Sequence, residues 1–228
     1  MSQIEFSNVT KEYIPGIKVL ENVSFSVNNE EFVFIVGPSG AGKSTIVCLL
    51  IGEEKPTEGD IKFNGESVLE IPREEMSSLR RKIGVVFQDY KLLDSKTVYD
   101  NVAVALEVVD SEKEEMNNII PNILSLVGLS KQKDSYPRQL SGGEKQRAAI
   151  ARALAHEPDV LVADEATGMI DPDSTDGVVE ILEKINSLGT TVIMCTHDER
   201  IVNKLKKRVI RIEKGKIISD KEGGKYRG

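Results

Sequence analysis

A glycine-rich loop between a short apolar strand and a helix is the feature that most constrains this chain. Phe32–Val36 is apolar at every position, which predicts a strand buried on both faces, and residues 43–51 fit a helix that ends at Gly52. The connection follows the pattern of a phosphate-binding loop, formed by Gly37, Pro38, Ser39, Gly40, Ala41, Gly42, Lys43 and Ser44, with Thr45 after them. The sequence therefore predicts an α/β core that binds a nucleotide at the edge of its sheet.

The residue types in this loop suit phosphate chemistry. Glycines allow backbone N–H groups to approach phosphate oxygens, which bulky side chains would block. Lys43 supplies a positive charge for the outer phosphates, and Ser44 supplies a hydroxyl for Mg²⁺. We expect ATP and Mg²⁺ as the cofactors.

Two acids end a second apolar strand. Residues 160–163 are apolar and precede Asp164 and Glu165. An isolated Asp-Glu pair is usually a solvated corner, but this pair falls where the sheet meets the predicted ligand crevice. We expect Asp164 to support Mg²⁺ from behind its direct ligands and Glu165 to polarise the attacking water. A kinase would not need the second acid, and the sequence contains no Asn-Lys-x-Asp segment of the kind that reads guanine.

The remaining pattern indicates strands alternating with helices, and hence a mostly parallel sheet. Val23, Phe25 and Val27 alternate with polar residues as in a half-buried strand, and Asn64-Gly65 is typical of a hairpin turn. Helical spacing replaces this pattern over residues 97–136, at the following positions: Val98, Val102, Ala105, Leu106 and Val109, then Ile119, Ile123, Leu126 and Val127, with polar residues 110–118 between the two groups. We predict one domain, with a core and β subdomain in residues 1–95 and 156–228 and a helical block in about 96–155.

Charge and hydropathy exclude several classes of protein. A formal net charge of −7 and an isoelectric point near 5.1 argue against a general nucleic-acid binder. No segment approaches the roughly 18 apolar residues of a membrane-spanning helix, and the first residues lack the pattern of a signal peptide. Cys48 and Cys195 lie in apolar segments, which favours small buried side chains over a redox or metal pair.

The string Leu140, Ser141, Gly142, Gly143 and Glu144 is the most specific in the chain. Ser141 and Glu144 have the spacing of a capping box at a helix start. Capping does not explain two glycines in the first turn, where each costs up to about 1 kcal/mol. We interpret them as exposing backbone N–H groups to an anion.

With this string the chain resembles an ABC-family ATPase over essentially its whole length. The resemblance implies an ABC-type fold, with a mostly parallel sheet, an antiparallel β subdomain and an inserted helical subdomain. It assigns Tyr13 to stacking on adenine, Gln88 to contacts with Mg²⁺ and water, Asp171 to the conserved loop after the two acids, and His197 to the γ-phosphate. It also implies a homodimer on ATP binding, in which residues 140–144 of each chain face the phosphate loop of the other.

Residues 79–93 and 97–102, the phosphate loop and the short length resemble ABC ATPases that act in cell division. That resemblance implies an integral membrane partner, one of whose cytoplasmic helices would bind the helical block and residues 88–93. The pair would relay ATP-driven motion to cell-wall hydrolases. The chain itself would be cytoplasmic and peripheral on the inner face of the membrane, with no nucleic-acid partner.

Two positions depart from the family pattern. Ala166 stands where most relatives have proline, and Met169-Ile170 replaces the usual Asn-Leu before Asp171. Neither change removes a ligand or a charge, so we predict retained hydrolysis with some loosening behind Glu165. Three alternatives stay open: the ATPase of a lipoprotein or macrolide exporter, a soluble non-transport ABC ATPase, and a nucleotide-sensing scaffold.

Overall fold

Two sheets and a group of helices organise the fold of this computed structural model, which describes residues 2–107 and 113–226. The strands are β1 Ser2–Ile14, β2 Ile17–Asn28, β3 Phe32–Val36, β4 Glu58–Phe63, β5 Glu66–Ser67, β6 Ile83–Val86, β7 Val160–Asp164, β8 Thr191–Thr196, β9 Arg208–Glu213 and β10 Lys216–Lys221. The helices are α1 Lys43–Leu50, α2 Met76–Lys82, α3 Val98–Glu107, α4 Lys113–Leu126, α5 Gly142–Ala153, α6 Pro172–Ser187 and α7 Glu199–Leu205. Short 3₁₀ turns occupy Ser130–Gln132 and Pro137–Gln139.

The central sheet has the order β10-β9-β3-β8-β7-β6. Its strands are parallel except for β10, which pairs antiparallel with β9. Every residue of β3, β7 and β8 is buried, as expected for parallel strands that are covered on both faces. The predicted mostly parallel α/β sheet is therefore confirmed.

The second sheet is antiparallel, in the order β2-β1-β4-β5. Val23, Phe25 and Val27 are buried, whereas Ser24 and Asn28 are exposed, which confirms the half-buried strand. Asn64 and Gly65 have φ angles of 50° and 86°, so both residues of the β4–β5 turn are left-handed, as a tight hairpin turn requires. This sheet forms the predicted antiparallel subdomain.

Helices α3, α4 and α5 lie between β6 and β7 in the chain and form the predicted helical block. The apolar positions that suggested these helices face inward, with Val98, Val102, Leu106 and Val127 buried. Val109 and residues 110–112 of the polar segment lie outside the described residues. None of the helices in the described part of the chain has the length and apolar character that crossing a bilayer would require.

Some boundaries differ from the sequence prediction. Helices α2 and α7 were not predicted, because both have only seven residues and carry little apolar periodicity. Helix α1 ends at Leu50, one residue before its predicted end, and strand β6 covers Ile83–Val86. Helix α6 begins at Pro172, because Asp171 accepts a hydrogen bond from the Ser174 N–H and proline suits the first helical position.

The central sheet separates two hydrophobic clusters. Along β7, Leu161 and Ala163 belong to a cluster that contains the helical block, α6 and α7. Val160 and Val162 belong to a second cluster that contains α1 and the antiparallel sheet. The alternation follows from the period of two in a strand. Of the two free cysteines, Cys195 is buried in the second cluster as predicted, and Cys48 is only partly covered.

Candidate functional site

A cavity of about 300 Å³ lies where β3, β6, β7 and β8 end. The carboxyl ends of parallel strands meet at one edge of a sheet, and ligands bind there. The cavity brings together many of the predicted site residues, namely Ser39, Gly40, Gly42, Lys43, Ser44, Thr45, Gln88, Glu165 and His197. It also includes Val19 of β2, which sequence reasoning missed because only the fold brings that strand to the loop.

Two glycines of the phosphate loop are required by close approach to other strands. A Cβ built on Gly37 would lie 2.1 Å from the carbonyl oxygen of Ile212. At Gly42, where φ is +104°, a Cβ would lie 2.5 Å from a methyl group of Leu20. The loop is therefore clamped between β9 and β2. Three predicted members, Gly37, Pro38 and Ala41, belong to the loop without lining the cavity.

The Glu165 carboxylate joins the phosphate loop to the end of β8. One oxygen lies 3.1 Å from Lys43 Nζ, and the other lies 2.7 Å from His197 Nδ1. Lys43 also donates to the carbonyl oxygens of Gly37 and Pro38, at 2.9 and 3.2 Å. Glu165 has a φ of 51°, a left-handed conformation that is uncommon for a residue other than glycine.

Asp164 is positioned to support a cation. It is only 8% exposed, and its Oδ1 has no hydrogen-bond partner within the described residues. Burial raises the pKa of its carboxyl, while a hydrogen bond with the Ser44 side chain and the charge of Lys43 oppose that effect. A buried carboxylate oxygen without a partner, next to a hydroxyl, matches the hard oxygen ligands that Mg²⁺ prefers. The residues present therefore fit Mg²⁺.

Residues 140–144 form a helix start away from this cavity's lining. The predicted capping box is present: Glu144 N–H donates to Ser141 Oγ at 3.3 Å, and Ser141 N–H donates to the Glu144 carboxylate at 2.8 Å. Leu140 is buried. Hydrogen bonds from the Ser141 backbone N–H and then from its hydroxyl hold the pKa of the Glu144 carboxyl below its usual value.

The two glycines of this helix start also have packing roles. A Cβ on Gly143 would lie 2.6 Å from Ser174 Oγ, so α5 and α6 touch at this point. A Cβ on Gly142 would lie 3.3 Å from a methyl group of Ile170 and 3.4 Å from the hydroxyl of Tyr90. Close packing thus accounts for part of what we interpreted as anion binding.

Tyr13 and Asp171 also lie outside the cavity lining. Tyr13 is 51% exposed near the β1–β2 turn, with Lys11 Nζ 4.8 Å from its ring centroid. Asp171 caps α6, and the contacts with Ser174 lower the pKa of its carboxyl. Among the departures from the family pattern, Ala166 is buried and Met169 is 59% exposed.

The cavity at the phosphate loop and the order of the central sheet define a nucleotide-hydrolysing cassette. The chain belongs to the ABC transporter family, whose match covers residues 20–168. It is an ATPase. It resembles the "Cell division ATP-binding protein FtsE" of Bacillus subtilis, with 48% identity and 98% of each chain covered. FtsE of Streptococcus pneumoniae (strain D39) is 47% identical, with 99% of this chain and 98% of the relative covered.

A solved structure supports the same classification. The ATP-binding cassette MJ0796, in a dimeric post-hydrolysis state bound to ADP and Pi, superposes with a TM-score of 0.86 at 34% identity. The match covers 99% of both chains. ABC cassettes of this kind form dimers.

Proposed function

We propose that this chain is the ATP-hydrolysing subunit of a cell-division complex similar to FtsE with its membrane partner FtsX. The full-length similarity to FtsE supports the division role. The observation that carries the chemistry is the Glu165 carboxylate, held at the cavity between Lys43 and His197. ATP-driven dimerisation would act through FtsX on cell-wall hydrolases.

The phosphate loop and its neighbours would bind the nucleotide. Lys43 and the loop N–H groups, including those of Thr45 and Ser44, bind the phosphates, and Tyr13 stacks on adenine. Ser44 and Gln88 would ligate Mg²⁺ directly, with Asp164 behind them. The ion, when bound, neutralises charge that develops on the phosphate oxygens.

Hydrolysis requires a base beside the terminal phosphate. Glu165 accepts a proton from the attacking water. As it does so, the water oxygen bonds to the γ-phosphorus, and the bond between the γ-phosphorus and the oxygen of the departing ADP breaks. His197 donates to the γ-phosphate, and Gln88 orients the water. A bound nucleotide phosphate would compete with the Glu165 carboxylate for the charge of Lys43. Loss of that contact would leave Glu165 free to bind the attacking water.

Two chains would complete two sites. Residues 140–144 and Asp171 lie outside the cavity lining of their own chain, which suits a role at the nucleotide of a second copy. A two-fold symmetric pair uses the same surface twice and so forms two equivalent sites. The dimeric MJ0796 cassette is consistent with this arrangement.

Membrane contact would come through the partner. We infer that a cytoplasmic helix of FtsX binds the helical block and residues 88–93, where Leu93 is 42% exposed. The chain would then be cytoplasmic and peripheral on the inner face of the membrane. We propose no nucleic-acid partner, given the net charge of −7.

The catalytic assignment is tested by Glu165→Gln, assayed as phosphate release from ATP and Mg²⁺ by the full chain, alone and with its membrane partner. We expect a loss of about 10²–10⁴-fold with ATP binding retained. Glu180→Gln, on an exposed position of α6, is the matched control and should leave turnover unchanged. Turnover of the unmodified chain no faster than that of Glu165→Gln would favour the nucleotide-sensing scaffold instead.

The division role is tested by detergent pull-down with the tagged chain. We expect recovery of a four-span membrane protein without a transport channel. Recovery of a solute permease would overturn the division assignment, and recovery of a lipoprotein or macrolide exporter component would replace it with export. Neither result would affect the ATPase assignment.

A further inference from the structure

The loop between β6 and α3 contains two consecutive strained residues. Tyr90 and Lys91 have φ angles of 56° and 48°. Neither is glycine, and left-handed backbone at bulky residues persists only where surrounding contacts enforce it. The strained pair begins two residues after Gln88, which lines the nucleotide cavity.

One side chain of the helical block holds both strained residues. Arg152, near the end of α5, donates one guanidinium N–H to the carbonyl oxygen of Tyr90 at 3.1 Å. It donates another to the carbonyl oxygen of Lys91. Arginine carries its donors in a rigid planar fork, so two adjacent carbonyls can be fixed at once.

The side chain of Tyr90 also lies near the other end of α5. The Tyr90 hydroxyl lies 3.4 Å from where a Cβ on Gly142 would be, at the helix start that Ser141 caps. Tyr90 packs against the cluster that contains the helical block. Tyr90 therefore lies close to both ends of α5, with its carbonyl oxygen bonded to Arg152 and its hydroxyl near Gly142.

We propose that Arg152 is a positioning residue for hydrolysis, holding the strained turn so that Gln88 sits correctly in the cavity. The inference rests on the role proposed above for Gln88. It makes the position of Gln88 depend on the position of α5, the helix whose start would face a second copy's nucleotide. Arg152 itself lies outside the cavity lining.

A double-mutant cycle between Arg152→Ala and Gln88→Ala tests the proposal. We expect Arg152→Ala to lower kcat about tenfold, equivalent to about 1.4 kcal/mol, with affinity for the fluorescent analogue mant-ATP and the Tm little changed. In the Gln88→Ala background the same substitution should have less than about twofold effect, because both changes remove one function. Arg152→Lys keeps the charge but not the fork, and it is carried through the same cycle in case Arg152→Ala fails to fold.

A second pair of variants tests the strain directly. Lys91→Gly and Lys91→Ala both remove the contact of Lys91 Nζ with the Phe87 ring, whose centroid is 4.1 Å away. Only glycine adopts the left-handed conformation without cost. In the Arg152→Ala background, Lys91→Gly should therefore restore part of kcat and Lys91→Ala should not.

Separate results identify separate failures. Full turnover by Gln88→Ala would overturn the proposed role of Gln88, and the positioning role of Arg152 with it. Slow turnover by Gln88→Ala combined with independent, multiplicative losses would overturn only the positioning role. Unchanged kcat in Arg152→Lys, or equal effects of Lys91→Gly and Lys91→Ala, would do the same.

Discussion

The contact between the starts of α5 and α6 predicts a defined steric defect. A Cβ on Gly143 would lie 2.6 Å from Ser174 Oγ and 2.7 Å from Ser174 Cβ. The hydroxyl can rotate away, but the Cβ is fixed to the backbone and no rotamer moves it. Gly143→Ala must therefore push the two helices apart.

Two opposing effects set the size of the change. Alanine favours a helix over glycine by about 1 kcal/mol. Overpacking a well-packed contact costs about 1–3 kcal/mol, and a fixed atom at 2.7 Å places this site toward the upper end. We expect a net destabilisation of about 1–2 kcal/mol, which lowers the Tm by about 2–8 °C in a chain of this size.

Thermal unfolding of the purified full chain measures this change. The matched control is Gly177→Ala within α6, where a Cβ meets no atom within 4 Å and helix propensity alone should raise the Tm. Ser174→Gly removes both clashing atoms, so adding Gly143→Ala to that variant should no longer lower the Tm. If Gly143→Ala is as stabilising as Gly177→Ala, the steric argument is wrong.

Three further predictions concern buried polar groups. Asp164→Asn should raise the Tm at pH 7 while slowing turnover. Burial raises the pKa of Asp164 in the folded chain, so its charged form costs stability as the pH rises above the unfolded pKa. The gain in Tm from Asp164→Asn should therefore vanish at acid pH. Asn101→Ala should lower the Tm, because the buried amide bonds Leu93 N–H and three loop carbonyls, and each unsatisfied group costs about 1–3 kcal/mol. Arg208→Ala should lower the free energy of unfolding in urea by about 3 kcal/mol, because two carboxylates lose a partly buried partner. Arg211→Ala removes a more exposed pair and should lower it by under about 1 kcal/mol. Equal losses for the two variants would contradict this ranking.

The buried central strands could be predicted from the sequence because their residues are apolar at consecutive positions. Phe32–Val36 and residues 160–163 are apolar at every position, and the structure buries all of them. Short helices such as Glu199–Leu205 depend on one capping side chain, here Asp198, whose carboxylate accepts from the N–H of Arg200 at 2.8 Å. Such a local contact leaves little periodic signal in the sequence.

The site was predictable where a motif is contiguous and not where the fold assembles it. Lys43 and Glu165 were named from their own segments, yet their 3.1 Å contact exists only because β3 and β7 end together. Val19 and Arg152 reach the site region from distant segments. Val19 lines the cavity because of where its strand runs, and Arg152 bonds to backbone carbonyls of a distant loop. The type of either residue in the sequence does not indicate such a contact.

The alternation along Val160–Asp164 has a consequence for building chimeras. Because Leu161 and Ala163 pack with the helical block, that block shares its core with the strand that leads to Asp164 and Glu165. A transplanted block from a relative would bring side chains shaped for a different strand. Exchanging the helical block between relatives therefore requires matching substitutions on one face of the central sheet, while the face that packs against the antiparallel sheet can stay as it is.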